Sequence, residues 1–366
     1  MVVRNEYTPK RAVHPGEYLN EELKARGIQK KDFAKKLGIH QSNLSGYLKG
    51  DRNFTPEFSL KLQNALPSIS AEEWMSLQSR YDITKVKIEK QTEDERIATA
   101  KEEALNDVIN IKELLSRLNV NIFSALGRVS FISDILEKAE IPDILSIEAE
   151  LNGAYKGSDK LEVDARNQRT WVLLAKIASV AEAKGLPEYN RDKGMTFCRD
   201  LSKHINNGTL KEKDIRDIAR KNGIGYVRVE KLDKVPVDAY STWVGENPII
   251  VPTYRHNDMH KLAFDILHEM GHIILHKGMS FISIQDCDYM KQDGKELEAN
   301  KFAENQLIPE DVWSRIFNAK SSVSNTMNTI SRLAKENGIN PNIAFARYSK
   351  ETGYYKIRGL KKQKIF

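Results

Sequence analysis

The sequence predicts a mainly α-helical protein with a small β-sheet, which places it in the α+β class. Three observations support this class. Short helical segments separated by glycines lie near the N-terminus, apolar residues recur at helical spacing in the charged middle, and short β-rich runs precede an apolar helix. A chain of 366 residues is expected to hold two or three domains. We place them at residues 1–83, 84–160 and 161–366.

The N-terminal segment predicts three short helices. The first begins at Pro15 and ends at Gly27, the second covers residues 31–37, and the third covers residues 41–48 and is closed by Gly50. Their inward faces are expected to contain Tyr18, Leu19, Leu23, Phe33, Ala34, Leu37, Leu44 and Leu48. Because a tight turn at Gly38 and Ile39 joins the second and third helices, the arrangement fits a helix-turn-helix.

In a helix-turn-helix, the third helix enters the major groove of DNA. The side chains expected to face bases are Gln41, Ser42, Asn43 and Ser45, with Tyr47 as a further candidate. Those expected to face phosphates are Lys30, Lys31, Lys49 and Arg52. Residues 1–67 carry twelve basic and seven acidic side chains, so most of the chain's net charge of +6 lies in this segment. A localised basic excess favours nucleic-acid binding.

The run HPGEYLNEELKARGIQKKDFAKKLGIHQSNLSGYLKG, followed by Thr55-Pro56, Trp74 and Gln78, resembles the HigA-type branch of the Xre-like helix-turn-helix family. The resemblance covers about residues 12–83. It implies a repressor and antitoxin that binds operator DNA as a dimer. The chain departs from the family at Gln29, where a capping Ser or Thr is common, and at Lys30, where Gln is common.

The middle of the chain predicts a long amphipathic helix over residues 84–119. The apolar residues that recur along it are Ile97, Ala104, Val108, Ile111, Leu115 and Leu118. Such a helix either mediates dimerisation or bridges two domains in solvent. Residues 120–185 are also predicted to be helical, with Trp171–Ala181 buried.

The stretch FDILHEMGHIILH contains His268, Glu269 and His272 in the order of an HExxH motif. Two histidines at i and i+4 share one face of a helix and can bind one zinc ion. The glutamate between them can take a proton from a water molecule that the zinc activates. His276, one turn further on, is expected to contact a ligand or to lie at the surface, and not to be a fourth ligand. His256 and His260 are expected to lie in a loop or at the start of the helix.

A catalytic zinc needs a third protein ligand. Residues 296–309, ELEANKFAENQLIP, predict a second helix that Pro309 ends. Glu298 lies beside its inner stripe and is our first choice for the third ligand, and Glu296 is the competing choice.

The segments HEMGHIILH and EANKFAENQLIP, with the short β-rich runs at 223–229 and 248–251, resemble the ImmA/IrrE family of zinc metallopeptidases. The resemblance covers about residues 160–360. It implies a gluzincin-like fold and cleavage of a regulatory protein. Carried over residue by residue, it implies His268, His272 and Glu298 as zinc ligands and Glu269 as general base. Residues 331–348 resemble the small C-terminal helical part of this family.

Two hypotheses for function follow. In the first, a DNA-bound regulator cleaves a partner protein, with Tyr240, Tyr254 and Tyr289 as unresolved candidates for an oxyanion donor. In the second, the chain is a non-enzymatic antitoxin whose C-terminal domain binds a toxin protein. A further possibility is that the two domains serve different partners and that their fusion only colocalises them. We expect a cytoplasmic protein, because no apolar run approaches the roughly 20 residues that span a membrane and the N-terminus lacks a signal core. The resemblance to HigA-type antitoxins implies that it is a homodimer. Cys198 and Cys287 are expected to be free thiols, with a disulfide between them as the alternative.

Overall fold

The computed structural model of the chain describes residues 9–144, 147, 163–283, 294–319, 323–354 and 363–365. It divides into two compact units. Unit 1 comprises Met1–Lys101 and Ser124–Leu126, and unit 2 comprises Glu102–Phe123 and Gly127–Phe366. The predicted boundary at residue 83 lies inside a helix, and the predicted linker at 84–160 contributes residues to both units.

Unit 1 contains four short helices and most of a long one. They are α1 (Pro15–Ala25), α2 (Lys30–Lys36), α3 (Gln41–Lys49), α4 (Pro56–Ala65) and α5 (Ala71–Val108), which continues past Lys101. Two of the short helices show a local reason for one of their ends. His14 caps α1 by accepting a hydrogen bond from the amide of Gly16, and Gly50 closes α3 with a φ of +85°, which favours glycine.

The core of unit 1 forms where α1–α4 and the start of α5 bury their apolar faces. Its most deeply buried members are Leu19, Leu23, Phe33, Leu44, Leu62 and Trp74. These residues confirm the predicted inward faces of the three helices, with one exception. Tyr18 was expected inside but is 42% exposed, because it lies on the flank of α1 beside Leu19 rather than on the stripe that Leu19 and Leu23 share.

The prediction of one helix over residues 84–119 is wrong at its C-terminal end. Helix α5 ends at Val108, and a new helix, α6 (Ile111–Arg117), begins after a break. The Asn110 side chain accepts a hydrogen bond from the amide of Glu113 and so caps α6. The amide of Asn110 donates to the Thr170 hydroxyl at 2.8 Å, and this tertiary contact stabilises the break.

The rest of unit 2 combines helices with one small sheet. Its further helices are α7 (Ala125–Lys138, of which Ala125 and Leu126 are grouped with unit 1), α8 (Ala165–Ala183), α9 (Arg191–Asn206), α10 (Glu212–Lys221), α11 (Met259–Leu275), α12 (Gly294–Leu307), α13 (Glu310–Asn318), α14 (Val323–Glu336) and α15 (Pro341–Thr352). Its strands are β1 (Gly225–Tyr226), β2 (Ala239–Val244), β3 (Asn247–Pro252) and β4 (Phe281–Ser283).

The sheet is mixed, with the strand order β1-β3-β2-β4. Strand β1 is parallel to β3, whereas β2 is antiparallel to both β3 and β4. Strands β2 and β3 form a hairpin in which Val244 faces Asn247, and Gly245 makes the turn with a φ of +57°. The predicted β-rich run at 223–229 thus contains only a two-residue strand, while the run at 248–251 lies within β3.

Apolar cores cover both faces of this sheet, which explains why β3 is apolar without alternation. Ile250 packs with α11 in one core, which also contains Phe197, Leu201 and Trp313. Ile249 and Val251 point the other way, into a core built on α8 around Trp171. Helix α11 is therefore held against a largely buried sheet, and this arrangement positions the motif residues that it carries.

Some predictions fall outside the described residues. These are the ones for Cys287 and for Tyr289. Cys198 is a free, buried thiol in α9. Within the described part of the chain, no helix combines the length and apolar character that crossing a membrane would require.

Candidate metal centre and DNA-binding helix

Helix α11 carries the HExxH motif and is buried over most of its length. Asp258 begins the helix by accepting hydrogen bonds from the amides of His260 and Lys261. The apolar residues between the polar ones, among them Ile266, Leu267 and Met270, fill the core beside β3. His268, Glu269 and His272 are consequently buried on a rigid element, at 3%, 0% and 1% exposure.

Helix α12 crosses α11 at its closest point through two small residues. A Cβ atom added to Gly271 would lie 2.9 Å from the Cα of Ala299 and 3.2 Å from its carbonyl oxygen. Only glycine permits this approach. The two histidines flank Gly271 on one helix, so the crossing brings them close to the side chains that flank Ala299 on the other.

Three donor groups meet at this crossing: His268, His272 and Glu296. The two Nε2 atoms of the histidines lie 3.0 Å apart. The Glu296 carboxylate oxygens lie 3.1 Å from the Nε2 of His268 and 3.2 Å from the Nε2 of His272. In this part of the chain, a group of two imidazoles and one carboxylate thus faces a single point.

The third donor group at the crossing is Glu296, which corrects the expectation of Glu298. The Glu298 side chain is 64% exposed, and its Oε2 lies 2.9 Å from the Nε2 of His276. The physical reason is helical phase. The buried stripe of α12 runs through Glu296, Ala299, Ala303 and Leu307 at spacings of three and four, whereas Glu298 is rotated away from it. Extending the predicted stripe backwards by one turn would have found Glu296.

The donor set fits a zinc ion in chemistry and in spacing. Four atoms held tetrahedrally at zinc-ligand distances lie about 3.3 Å from one another, close to the separations seen here. Burial would raise the pKa of Glu296, but its hydrogen bonds to His268 and His272 lower that pKa to about 2. Glu296 is therefore ionised at neutral pH, as a metal ligand must be. Burial opposes a charge on His268, but Glu296 and the charge of Glu269 outweigh it and raise the pKa of that imidazole.

Each histidine is also held at its second ring nitrogen. The Nδ1 of His268 lies 3.1 Å from the Oδ1 of Asn300, one turn beyond Glu296 on α12. The Nδ1 of His272 lies 3.2 Å from the Nδ1 of His276. The ring of Phe281, on β4, stacks on His272 at 3.9 Å between centroids. Both imidazoles therefore have fixed orientations, with their Nε2 atoms turned towards Glu296.

A second buried carboxyl group, that of Asp265, lies near Glu269. Asp265 lies one helical turn before Glu269 on α11 and is also buried. Burial and the nearby carboxylates of Asp238 and Glu269 raise the pKa of Asp265 well above its usual range.

Two of the three tyrosines considered as oxyanion donors face elsewhere. Tyr240 packs against Trp171 in the core beside α8, and the Tyr254 hydroxyl lies 2.6 Å from that of Tyr226.

The structure places the predicted DNA-contacting residues on α2, α3 and the segment after α3. Those exposed to solvent are Lys30, Lys31, Gln41, Ser42, Lys49 and Arg52, while Asn43 and Ser45 are half-buried. The Ser42 hydroxyl lies 2.7 Å from the Nδ1 of His40, the residue that caps α3. Tyr47 is not free to read bases, because its ring stacks on Phe58 at 3.7 Å.

Comparison with known protein families gives two matches. Residues 19–74 match a helix-turn-helix domain family, and residues 223–346 match the IrrE N-terminal-like domain of the peptidase M78 family. The first match contains α2 and α3, and the second contains both α11 and α12. The chain therefore carries an Xre-type helix-turn-helix domain at its N-terminus and an IrrE/ImmA-like peptidase M78 domain at its C-terminus.

Individual relatives match a shorter part of the chain. Virulence-associated protein A' of Dichelobacter nodosus is 32% identical over 73 residues, which is 20% of this chain. The match spans 64% of the length of that relative. A crystal structure described as an antidote protein of a plasmid maintenance system from Nostoc punctiforme is 26% identical and covers 24% of this chain and 94% of its own, with a TM-score of 0.23.

Proposed function

We propose that this protein is a cytoplasmic DNA-binding regulator whose C-terminal domain is a zinc-dependent endopeptidase. The observation that carries the peptidase proposal is the buried group of His268, His272 and Glu296, with Glu269 beside it on α11. We propose these three residues as the zinc ligands and Glu269 as the general base. The helix-turn-helix and peptidase M78 domains in one chain support a regulator that couples DNA binding to cleavage of a partner protein.

The residues of the site divide the work of peptide hydrolysis. When bound, zinc would supply a Lewis acid that polarises the peptide carbonyl and lowers the pKa of water. Glu269 accepts a proton from the attacking water and delivers it to the nitrogen of the leaving amine as the peptide bond breaks. Asn300 and His276 hold the histidines in orientation, and the apolar core around α11 excludes bulk water from their inner side.

Metal content tests the site first. Mass spectrometry of the purified chain should find about one zinc per chain, and His268→Ala and Glu296→Gln should lose it, because each removes one ligand. Glu269→Gln should keep the zinc, since we assign Glu269 no ligand role. Absence of zinc from the parent protein after metal-replete expression would reject the peptidase proposal.

Cleavage is tested separately with a randomised peptide library and mass-spectrometric detection of products. The zinc-loaded parent should cut peptides, and Glu269→Gln should lower the rate by at least 100-fold while it binds zinc normally. A zinc-loaded parent that cuts nothing in the library would favour the antitoxin described below. Equal rates in the parent and in Glu269→Gln would remove Glu269 from its proposed role.

For the N-terminal domain we propose that α3 reads operator DNA, with the chain acting as a homodimer. Selection from random DNA gives the operator on which variants can be compared. Asn43→Ala should cost about 1–3 kcal/mol and relax base preference, whereas Lys49→Ala should weaken all sequences alike and lower the salt dependence. Lys61→Ala, in α4 and paired with Glu57, serves as a basic control. Equal losses on operator and random DNA for Asn43→Ala would contradict base reading by α3.

A non-enzymatic antitoxin is the second candidate function. It rests on the resemblance of residues 12–83 to HigA-type antitoxins. In that case the C-terminal domain binds a toxin protein, and Glu269→Gln leaves neutralisation unchanged. Growth rescue of toxin-expressing cells by the parent chain and by Glu269→Gln therefore separates the two functions.

A further inference from the structure

Glu298 was predicted to be a metal ligand, but its carboxylate lies outside the group of His268, His272 and Glu296 and contacts His276 instead. Its Oε2 lies 2.9 Å from the Nε2 of His276, and the Nδ1 of His276 lies 3.2 Å from the Nδ1 of His272. The three side chains thus form a continuous path from the surface to a proposed zinc ligand. Glu298 is exposed at one end of this path, whereas His272 is buried at the other.

The protons along this path can be assigned from chemistry alone. If the Nε2 of His272 is a ligand, that nitrogen carries no proton, so its Nδ1 carries one and donates. His276 can accept this hydrogen bond only if its own Nδ1 carries no proton. The Nε2 of His276 consequently carries the proton and donates to the Glu298 carboxylate.

We propose that His276 and Glu298 are positioning residues that select the metal-binding tautomer and orientation of His272. This inference rests on the zinc site proposed above. The arrangement matches, with one imidazole interposed, the carboxylate partners that commonly hold metal-bound histidines. Phe281 supports it sterically, because its ring stacks on His272 and also lies 5.6 Å from the ring of His276. The carboxylate thus acts on the metal through two rings and not as a ligand.

The substitutions that test the proposal separate each link. His276→Ala removes the acceptor for His272 and should weaken zinc binding about 10- to 100-fold, the range typical of such outer partners. His276→Asn should recover much of that loss, because an asparagine side-chain oxygen can occupy the position of Nδ1. Glu298→Ala should weaken binding several-fold, and Glu298→Gln less, since an amide oxygen still accepts from His276. Glu246→Gln is the matched control, because its carboxylate pairs with Lys277 near the surface.

The readouts are the apparent zinc affinity, from competition with a chromophoric chelator, and the visible spectrum of the cobalt-substituted protein. A double-mutant cycle decides whether Glu298 acts through His276. Adding Glu298→Ala to His276→Asn should cause no further loss, because the link is already cut. The proposal fails if Glu298→Ala weakens binding equally in both backgrounds. It also fails if His276→Ala leaves affinity and the cobalt spectrum unchanged.

Failure of the zinc site itself gives a different result. In that case the parent chain binds no zinc, and both the proposed function and this inference are overturned. A parent that binds zinc together with an unaffected His276→Ala overturns only the positioning role. Because Glu298 is exposed, its variants are expected to fold, and they keep the proposal testable if His276→Ala does not fold.

Discussion

Replacement of Gly271 by alanine tests whether the close crossing of α11 and α12 builds the metal site. The new Cβ would lie 2.9 Å from the Cα of Ala299 and 3.2 Å from both its Cβ and its carbonyl oxygen. Carbon atoms prefer about 3.5–4.0 Å, so the helices must separate by roughly 0.6 Å or more. The obstacle is backbone and cannot swing away. Overpacking of this kind costs about 1–3 kcal/mol.

The same displacement acts on the ligands, because His268 and His272 belong to one helix and Glu296 to the other. A metal site tolerates errors of only about 0.2 Å in its ligand distances. The free-energy cost of overpacking then falls on the zinc-bound form, and zinc affinity should decrease roughly 10- to 100-fold, at about tenfold per 1.4 kcal/mol. The assay is chelator competition on the folded protein. Gly294→Ala is the control, because its added Cβ meets nothing within 4 Å.

A folded Gly271→Ala protein that binds zinc as tightly as the parent would refute this reasoning. It would show that the distance between the helices does not limit the site. Loss of affinity in Gly294→Ala as well would point to a general effect on α12 and not to the crossing.

Three further outcomes are expected. The backbone of Gln29 is extended, and its side chain does not cap α2. Gln29→Ser should supply a cap and stabilise α1–α4 by about 1 kcal/mol, measured as slower amide hydrogen exchange in these helices. An unchanged exchange rate would contradict the capping argument. Burial lowers the pKa of His14 from 6.5 despite Asp82 and Glu17. The free energy of unfolding of unit 1 is therefore highest above pH 6.5 and decreases as the pH falls towards the lowered pKa of folded His14. His14→Asn keeps a capping oxygen but does not titrate, so it should reduce this decrease in urea unfolding. Burial also raises the pKa of the Cys198 thiol far above neutral. In a Cys287→Ser background, Cys198 should therefore not react with thiol reagents until denaturant is added. Rapid labelling of the native protein would refute its burial.

Several features of the site could be predicted from sequence because they depend on local spacing. An i, i+4 pair of histidines in an apolar helix must share one face, and glycine or proline must mark the helix ends near Pro15, Gly27 and Gly50. The α+β class followed from the same kind of evidence and is confirmed. The break between α5 and α6 could not be predicted, because apolar spacing continues through it and the contact of Asn110 with Thr170 joins residues 60 positions apart.

The choice between Glu296 and Glu298 shows where sequence alone stops. Both lie in the first turns of α12, and although Glu296 continues the apolar stripe of this helix, the sequence does not show which helix that stripe contacts. The crossing of Gly271 and Ala299 decides, because it fixes which face of α12 meets the two histidines. The motif and the helix that carries it follow from the sequence alone, since both depend on neighbours along the chain. Only the tertiary structure assigned Glu296 to the histidines and Glu298 to His276, because the packing of two helices sets the rotation of one against the other.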